Sequence, residues 1–232
     1  MVGTFSNFGV GAYTPSEAAK LLHMSPAMLR RWLYGYSFKR GDSSERHQSP
    51  LWQAQYDFDE DEPILGFRDL IEARTVRMLR QIGLGMPTIR HCLATAREIA
   101  GDTHPFSTKK LKTDGNRLYM EIASIDGEKS VIDLKHRQHA FSKVIESTFL
   151  DLEFEDGVAS RWWLNPKRQS LVVDPERSFG QPIAAISGIP TKRLAESVNA
   201  EGSARKVSRL FDVPLTVVND AVKFEASLSK AA

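Results

Sequence analysis

Two short helices are predicted close together near the start of the chain. Thr14 is suited to an N-cap, Pro15 to the first helical position, and Glu17 to the third, which together make a capping box. A second start follows where Ser25 precedes Pro26. Helical spacing then predicts a buried stripe formed by Met28, Leu29, Trp32 and Leu33. Two helices joined by about three residues are typical of a helix-turn-helix.

The second helix carries two adjacent arginines, Arg30 and Arg31, on its outer face. Because a helix that enters a major groove needs long cationic side chains there, we interpret it as a DNA-reading helix. Residues 51–58 alternate in polarity and are aromatic, which predicts the return strand of a β-wing. The predicted DNA-binding residues are therefore Ser25, Arg30 and Arg31 on the helix, with Lys39, Arg40 and Arg46 in the wing.

Two longer helices are predicted after the wing. One apolar stripe runs from Phe67 to Ile82 and stops at Gly83, and a second begins at 85–87 and extends to Ile99. Cys92 falls inside the second stripe, which favours a packed core thiol over a nucleophile or a ligand.

The middle of the chain is predicted to contain strands. A turn at 113–116 indicates a hairpin, residues 131–134 a strand, and 138–147 a helix. A second hairpin is predicted over 149–164, and a last strand over 171–173.

The second hairpin contains an acidic cluster that has two interpretations. Several carboxylates could hold a metal ion for nuclease chemistry, or they could form the solvent face of a hairpin in which Leu152 and Phe154 alternate with them. The alternation favours the solvent face. The cluster consists of Asp151, Glu153, Glu155 and Asp156. The neighbouring pair Trp162 and Trp163 is equally compatible with an interface anchor and with one core and one edge aromatic.

Three helices are predicted at the C-terminal end, over about 191–198, 203–211 and 214–228. The middle helix would be buried through Val207, Leu210 and Phe211. The last two helices again have a helix-turn-helix outline. The cations expected on the outer face of the middle helix are Arg205, Lys206 and Arg209.

Composition excludes several classes of protein. The 232 residues are 41% hydrophobic and 26% charged, which is ordinary for a globular protein, and no apolar run approaches a membrane span. The beginning of the chain has no secretory signal pattern, and a single cysteine makes no internal disulfide, so we expect a cytoplasmic protein. No catalytic, cofactor-binding or metal-ligand constellation is recognisable, and we predict no enzyme, cofactor or metal.

Charge is distributed unevenly along the chain although the total is only +2. Residues 13–50 have more basic than acidic side chains, and an acidic run over 57–62 follows directly. A basic segment followed by an acidic hinge fits a small nucleic-acid-binding module.

The N-terminal part resembles the MerR-type winged helix-turn-helix over roughly residues 13–100. The resemblance is carried by Tyr13-Thr14-Pro15-Ser16-Glu17-Ala18-Ala19, Ser25-Pro26, Leu29-Arg30-Arg31-Trp32, Phe67-Arg68-Asp69-Leu70, Leu79-Arg80-Gln81-Ile82-Gly83-Leu84 and Ile89-Arg90. MerR regulators usually continue into a long dimerising helix and an effector site, whereas here His104-Pro105 ends the helical region. The resemblance therefore implies DNA binding more directly than ligand sensing.

The C-terminal part resembles a small domain of unknown function that recurs in bacterial antitoxins, over about 171–228. The matching residues are Gly180-Gln181-Pro182-Ile183, Gly188-Ile189-Pro190-Thr191, Glu201-Gly202-Ser203 and Ala221-Val222-Lys223-Phe224-Glu225. An arginine usual before the Ile-Pro turn is absent. Together the two resemblances imply a VapB-type antitoxin that binds a PIN-like ribonuclease toxin and represses its own operon by binding operator DNA.

We thus predict an α+β protein of three units. Residues 1–101 would form the winged helix-turn-helix, 102–173 a β-rich middle region, and 174–232 a three-helix, helix-turn-helix-like toxin-binding domain. A homodimer, and a higher hetero-oligomer with toxin, are expected because helix-turn-helix proteins usually pair across a two-fold operator. The predicted toxin-binding residues are Arg205, Lys206, Arg209, Phe224 and Leu228. The alternative is a MerR-like transcriptional regulator whose C-terminal part binds a ligand or another protein, with no toxin partner.

Overall fold

A computed structural model describes residues 10–39, 45–57, 63–111, 118–119 and 131–229 of the chain. The fold is α+β, as predicted, and it begins with the expected helix pair, α1 (Pro15–Leu21) and α2 (Pro26–Tyr34). A two-stranded antiparallel wing follows, made of β1 (Tyr36–Lys39) and β2 (Glu45–Gln48). Within the described ranges, no helix has the length and apolarity required to cross a membrane.

The predicted return strand over 51–58 is wrong. The wing closes earlier, with β2, and residues 51–57 form no strand. The apolar residues of this segment attach it to the core instead of forming a strand. Leu51 N donates to Trp32 O at 2.7 Å, and Trp52 is 2% exposed. Residue 58 lies outside the described part.

Two long helices form the centre of the molecule, as the periodicity predicted. They are α3 (Phe67–Gln81) and α4 (Met86–Ala100), and Cys92 is buried in α4. Helix α3 is buried on nearly all sides and includes three buried ionisable residues, Asp69, Glu72 and Arg74. Asp69 is satisfied by several donors, among them Trp52 Nε1 at 2.8 Å and Gly66 N at 2.9 Å. Burying a charge requires such partners.

The middle region combines a helix with a small sheet. Helix α5 (Val131–Leu150) runs into an antiparallel sheet of order β3 (Leu152–Glu155), β4 (Val158–Trp163), β5 (Leu171–Val173) and β6 (Pro182–Ala184). The strand predicted over 131–134 is wrong, since these residues continue α5 toward its N-terminal end. A short apolar run fits either state, and the longer helix decides it.

The remaining sequence predictions for this region have mixed outcomes. The hairpin turn at Asp156-Gly157 and the strand β5 are confirmed, whereas 149–150 belong to α5 rather than to the hairpin. Strand β6 was missed: Pro182 begins a short strand that pairs with β5. The predicted hairpin turn at 113–116 and the acidic positions 59–62 lie outside the described residues.

Three helices close the chain, as predicted: α6 (Thr191–Glu201), α7 (Ala204–Leu210) and α8 (Leu215–Ser229). The expectation that Leu210 is buried is wrong, because its side chain is 67% exposed. Helix α7 contacts the core through Val207, with Phe211 partly buried against the same core, and Leu210 lies on the outer flank.

Two apolar cores hold these elements together. The larger core extends from Tyr13 to Val173 and therefore includes both the winged helix-turn-helix and the middle region. The smaller core joins β5 and β6 to helices α6, α7 and α8. Phe224 packs against both cores and Leu228 against the larger one, which ties α8 to the rest of the molecule.

Candidate nucleic-acid interface

Helix α2 is held in place by the capped helix before it and by its own buried stripe. The predicted capping box of α1 is confirmed: Glu17 N donates to Thr14 Oγ1 at 3.2 Å, and Thr14 N donates to Glu17 Oε2 at 2.9 Å. Leu29, Trp32 and Leu33 are buried. The expectation that Met28 is buried is wrong, since its side chain is 47% exposed and lies on the open face of α2.

The outer face of α2 presents both predicted arginines to solvent. Successive helical residues point about 100° apart, so Arg30 and Arg31 face different sides of the open surface. The Arg31 guanidinium lies 5.2 Å from the centre of the Tyr36 ring on the wing, within the range of a cation–π contact. Ser25 occupies the N-cap position, but its hydroxyl makes no capping bond and is exposed.

The wing is a short exposed hairpin in which one face carries aromatic rings. Tyr36 pairs with Gln48 and Phe38 with Arg46, and the two rings lie 5.8 Å apart. Lys39 lies opposite Glu45 at the outer end of the hairpin. Arg46 and Lys39 are both exposed, as a phosphate contact requires. Arg40 lies outside the described residues.

A groove of about 180 Å³ separates α2, the wing and the ends of α3 and α4. Three arginines line it, namely Arg31, Arg80 and Arg90, with Met28, Trp32, Tyr36, Gln48 and Met86 completing the wall. Sequence reasoning did not assign Arg80 and Arg90 to the interface. Each directly follows a buried residue of its helix, Leu79 or Ile89. Successive residues of a helix point about 100° apart, so each arginine lies on the side of its helix next to the buried face.

Two of these arginines have different surroundings. Arg80 Nη1 donates to Leu84 O at 2.9 Å at the end of α3. Arg90 is turned toward the base of the wing, and burial lowers the pKa of its guanidinium, although an arginine remains protonated at neutral pH.

The predicted toxin-binding residues fall into two groups. Arg205, Lys206 and Arg209 are exposed on α7, as expected, and they surround the exposed Leu210. Rows four residues apart lie along one side of a helix, so Arg205 and Arg209 form one row and Lys206 and Leu210 the next. We call these four residues the α7 patch. Phe224 and Leu228 lie elsewhere, partly buried against the protein's own cores.

Three members of the acidic cluster of the middle hairpin form ion pairs with arginines. Asp151 pairs with Arg74, and Arg161 lies 3.1 Å from Glu153 and 3.5 Å from Glu155. Within the residues that the structure describes, no group of three or more potential ligands could hold a metal ion. Trp162 is buried and Trp163 is half-buried, which matches the interpretation of one core and one edge aromatic.

A larger cleft of about 520 Å³ lies between the winged helix-turn-helix and the C-terminal helices. Its walls come from α1, the start of α6 and the end of α8, including Lys20, Leu21, Thr191, Lys192 and Leu228. The backbone joins the two sides nearby, where Ala12 N donates to Phe179 O at 3.0 Å.

The fold and this surface define a winged helix-turn-helix protein with additional middle and C-terminal parts. Residues 11–93 match the family described as "Putative DNA-binding HTH domain". Over 225 residues the chain is 26% identical to a protein of Mycobacterium tuberculosis (strain H37Rv) named "Putative antitoxin VapB45", covering 93% of this chain and 94% of that protein. The chain is thus similar to an antitoxin-named protein along almost its whole length.

A solved structure shares the fold. The crystal structure of Rv2018 from Mycobacterium tuberculosis superposes with a TM-score of 0.71 at 24% identity, covering 93% of this chain and 99% of that one. Because nearly all of both chains is matched, the winged unit, the middle region and the C-terminal helices occur together in both folds.

Proposed function

We propose that this protein is the antitoxin of a type II toxin–antitoxin system. It binds operator DNA through α2 and the wing, represses its own operon, and binds and neutralises a PIN-like ribonuclease. The observation that carries this proposal is the similarity to an antitoxin-named relative over 93% of the chain, which includes the helix-turn-helix and the C-terminal helices together.

DNA binding is supported by the arrangement of the cations. Arg30 reaches base edges from α2, while Arg31 and Arg80 contact phosphates from the walls of the groove, and Ser25 adds a hydroxyl at the start of α2. From the wing, Lys39, Arg40 and Arg46 contact the phosphates of the DNA backbone or the minor groove. The protein binds as a homodimer, because one nine-residue reading helix gives weak binding and paired helices match a two-fold operator.

Toxin binding is assigned to the C-terminal unit. A ribonuclease of the PIN type holds a divalent ion with carboxylates, and exposed cations neutralise such a cleft. The α7 patch supplies Arg205, Lys206 and Arg209, and Leu210 provides an apolar anchor in their midst. Phe224 and Leu228 support this surface from a distance, because they fix α8 against the protein's cores.

The test is co-expression with the PIN-like reading frame adjacent to the gene. The wild type is expected to rescue growth and to co-purify with the toxin, whereas Arg205→Ala/Lys206→Ala/Arg209→Ala is expected to lose both and still bind DNA. Arg193→Ala, which removes an exposed cation from α6, is the matched control. Full neutralisation of the toxin by the triple variant would show that α7 does not form the toxin interface. Absence of an adjacent toxin gene would contradict the antitoxin assignment.

One observation favours a second candidate function. The 520 Å³ cleft between α1 and the C-terminal helices is large enough for a small molecule. A MerR-like transcriptional regulator would use such a cleft to couple a ligand to DNA affinity, without a toxin. A promoter response that depends on an added metabolite, in cells that lack any adjacent toxin gene, would support this alternative.

A further inference from the structure

The wing is fixed to the body of the protein at the end of β2 by two arginines of α4. Arg90 Nη1 donates to Pro50 O at 3.1 Å, and Arg90 Nη2 donates to Ser49 O at 2.6 Å. About two helical turns further along α4, Arg97 Nη2 donates to Leu51 O. The two side chains therefore hold consecutive carbonyl groups of the segment that leaves the wing.

Arg90 also holds the last residue of the wing itself. In the amide orientation that satisfies both side chains, Gln48 Oε1 accepts from Arg90 Nε and Nη2, each at 3.1 Å. A guanidinium has five N–H groups, so these bonds occupy four of them. Arg90 has little donor capacity left for a phosphate, in contrast to Arg31 and Arg80 across the same groove.

The point at which the chain enters the wing, just before β1, is fixed by steric constraints. Gly35 adopts a φ of +75°, and a Cβ placed there would lie 2.4 Å from Gln48 O. Only glycine allows β1 to leave α2 so close to the end of β2. The hairpin is otherwise exposed along both strands, so its direction relative to α2 depends on Gly35 at its entry and on α4 at its exit.

We propose that Arg90, assisted by Arg97, is the positioning residue of the DNA-binding wing rather than a phosphate contact. It holds the chain at 48–51 so that Lys39 and Arg46 meet the same duplex that α2 reads. This inference rests on the proposed DNA binding. Arginine suits this site because its planar fork directs four bonds to three oxygens, whereas a lysine ammonium has only three donors on a single nitrogen.

The first experiment needs no DNA. Amide hydrogen exchange is compared between wild type, Arg90→Lys and Arg80→Lys, where Arg80 is a cation in the same groove that bonds the α3–α4 turn. Arg90→Lys is expected to speed exchange in β1 and β2 about tenfold and to leave α3 unchanged, while Arg80→Lys leaves the wing unchanged. Unchanged wing exchange in Arg90→Lys would overturn the proposal. If Arg90→Lys does not fold, Gln48→Ala makes the same comparison.

The second experiment is a double-mutant cycle on a duplex carrying the promoter region upstream of the gene. In the wild type, Lys39→Ala/Arg46→Ala is expected to weaken binding at least threefold. In the Arg90→Lys background the same change is expected to cost less than about 1.5-fold, because a displaced wing no longer contributes. Equal costs in both backgrounds, or no cost in the wild type, would contradict wing positioning.

The two experiments distinguish a failure of DNA binding from a failure of wing positioning. If the wild type does not bind the duplex, the proposed function fails, and the exchange experiment still reports whether Arg90 holds the wing. If the wild type binds and Arg90→Lys binds equally well with unchanged salt dependence, Arg90 acts through its charge alone, and the positioning role is wrong.

Discussion

Arg74 and Asp151 join the central helix α3 to the small sheet through a buried ion pair. Arg74 Nη2 lies 2.8 Å from Asp151 Oδ1 and 2.7 Å from Oδ2. The Arg74 guanidinium also lies 4.8 Å from the Trp162 ring, and Trp162 Nε1 donates to Asp151 Oδ2 at 3.1 Å. Burial lowers the pKa of Arg74, and the Asp151 carboxylate opposes that effect.

Removing one member of this pair is predicted to be strongly destabilising. Asp151→Ala leaves a buried guanidinium without its counter-ion, and we expect a loss of about 3 kcal/mol in the free energy of unfolding. Chemical denaturation measures it. Glu155→Ala is the matched control, because its pair with Arg161 is exposed and is expected to be worth less than about 1 kcal/mol. Similar small losses in both variants would show that Arg74 finds water or another acceptor.

A second prediction concerns the contact between the N-terminal segment and the turn before β6. Gly180 has a φ of +82°, and a Cβ there would lie 2.1 Å from the Tyr13 hydroxyl. Gly180→Ala therefore combines backbone strain with a clash, and we expect a loss of more than about 2 kcal/mol. Gly157→Ala has the same φ of +82° with no atom within 4 Å, so it measures the strain alone.

A second substitution, at Tyr13, tests whether the clash causes the loss of stability in Gly180→Ala. Adding Tyr13→Phe removes the clashing hydroxyl, which is buried without a hydrogen-bond partner, and should recover part of the loss. Equal stability of Gly180→Ala and Gly157→Ala would show that the turn moves away from Tyr13 at little cost.

The buried carboxyl group of Glu72 predicts a pH dependence of stability. Burial raises its pKa well above the ordinary value, and the backbone amides of Ser107 and Phe106 oppose that shift. The folded state therefore keeps a proton that the unfolded chain loses. The stabilisation is complete below the unfolded pKa, near 4.3, and declines as the pH rises toward the higher pKa of the folded state.

Glu72→Gln removes this titration and tests it. We expect the variant to gain stability relative to wild type as the pH is raised from about 5 to 8, measured by urea denaturation at each pH. A difference between the two proteins that does not change across this range would contradict a protonated Glu72 in the folded state.

Substitutions of Arg30 and Lys39 are expected to change DNA affinity in different ways. Arg30→Ala is expected to cost about 1–3 kcal/mol on the cognate duplex and little on unrelated DNA, if Arg30 reads a base. Lys39→Ala is expected to weaken binding to all sequences and to reduce the slope of log affinity against log salt by about one. Fluorescence anisotropy over a salt series measures both. Wild-type affinity in Arg30→Ala/Arg31→Ala would contradict the reading role of α2.

Local signals in the sequence predicted most of the fold, and the failures have physical reasons. Caps at Thr14, glycine ends such as Gly101 and strong apolar periodicity identified the helices, since those signals act within a few residues. Met28 and Leu210 have the apolar character of core residues, and only tertiary packing reveals that nothing covers them. Strand β6 has three residues and exists because β5 is beside it.

The candidate site was predicted in part for the same reason. Arg30, Arg31, Lys39 and Arg46 lie in segments whose local structure marks them as exposed. Arg80 and Arg90 belong to helices that the sequence describes as core elements, and they reach the interface only through the packing of α3 and α4 against the wing. The bonds from Arg90 to 49–50 join positions about forty apart, which no local pattern encodes.

The large apolar core, which continues from Tyr13 to Val173, determines how the protein melts. Helix α3 packs against both α4 and α5, so it loses buried contacts when either of them unfolds. We therefore expect the winged unit and the middle region to unfold as one cooperative unit, in which the van't Hoff and calorimetric enthalpies agree. We expect a fragment that ends near Gly101 to lose the core residues contributed by the middle region and to aggregate rather than bind DNA.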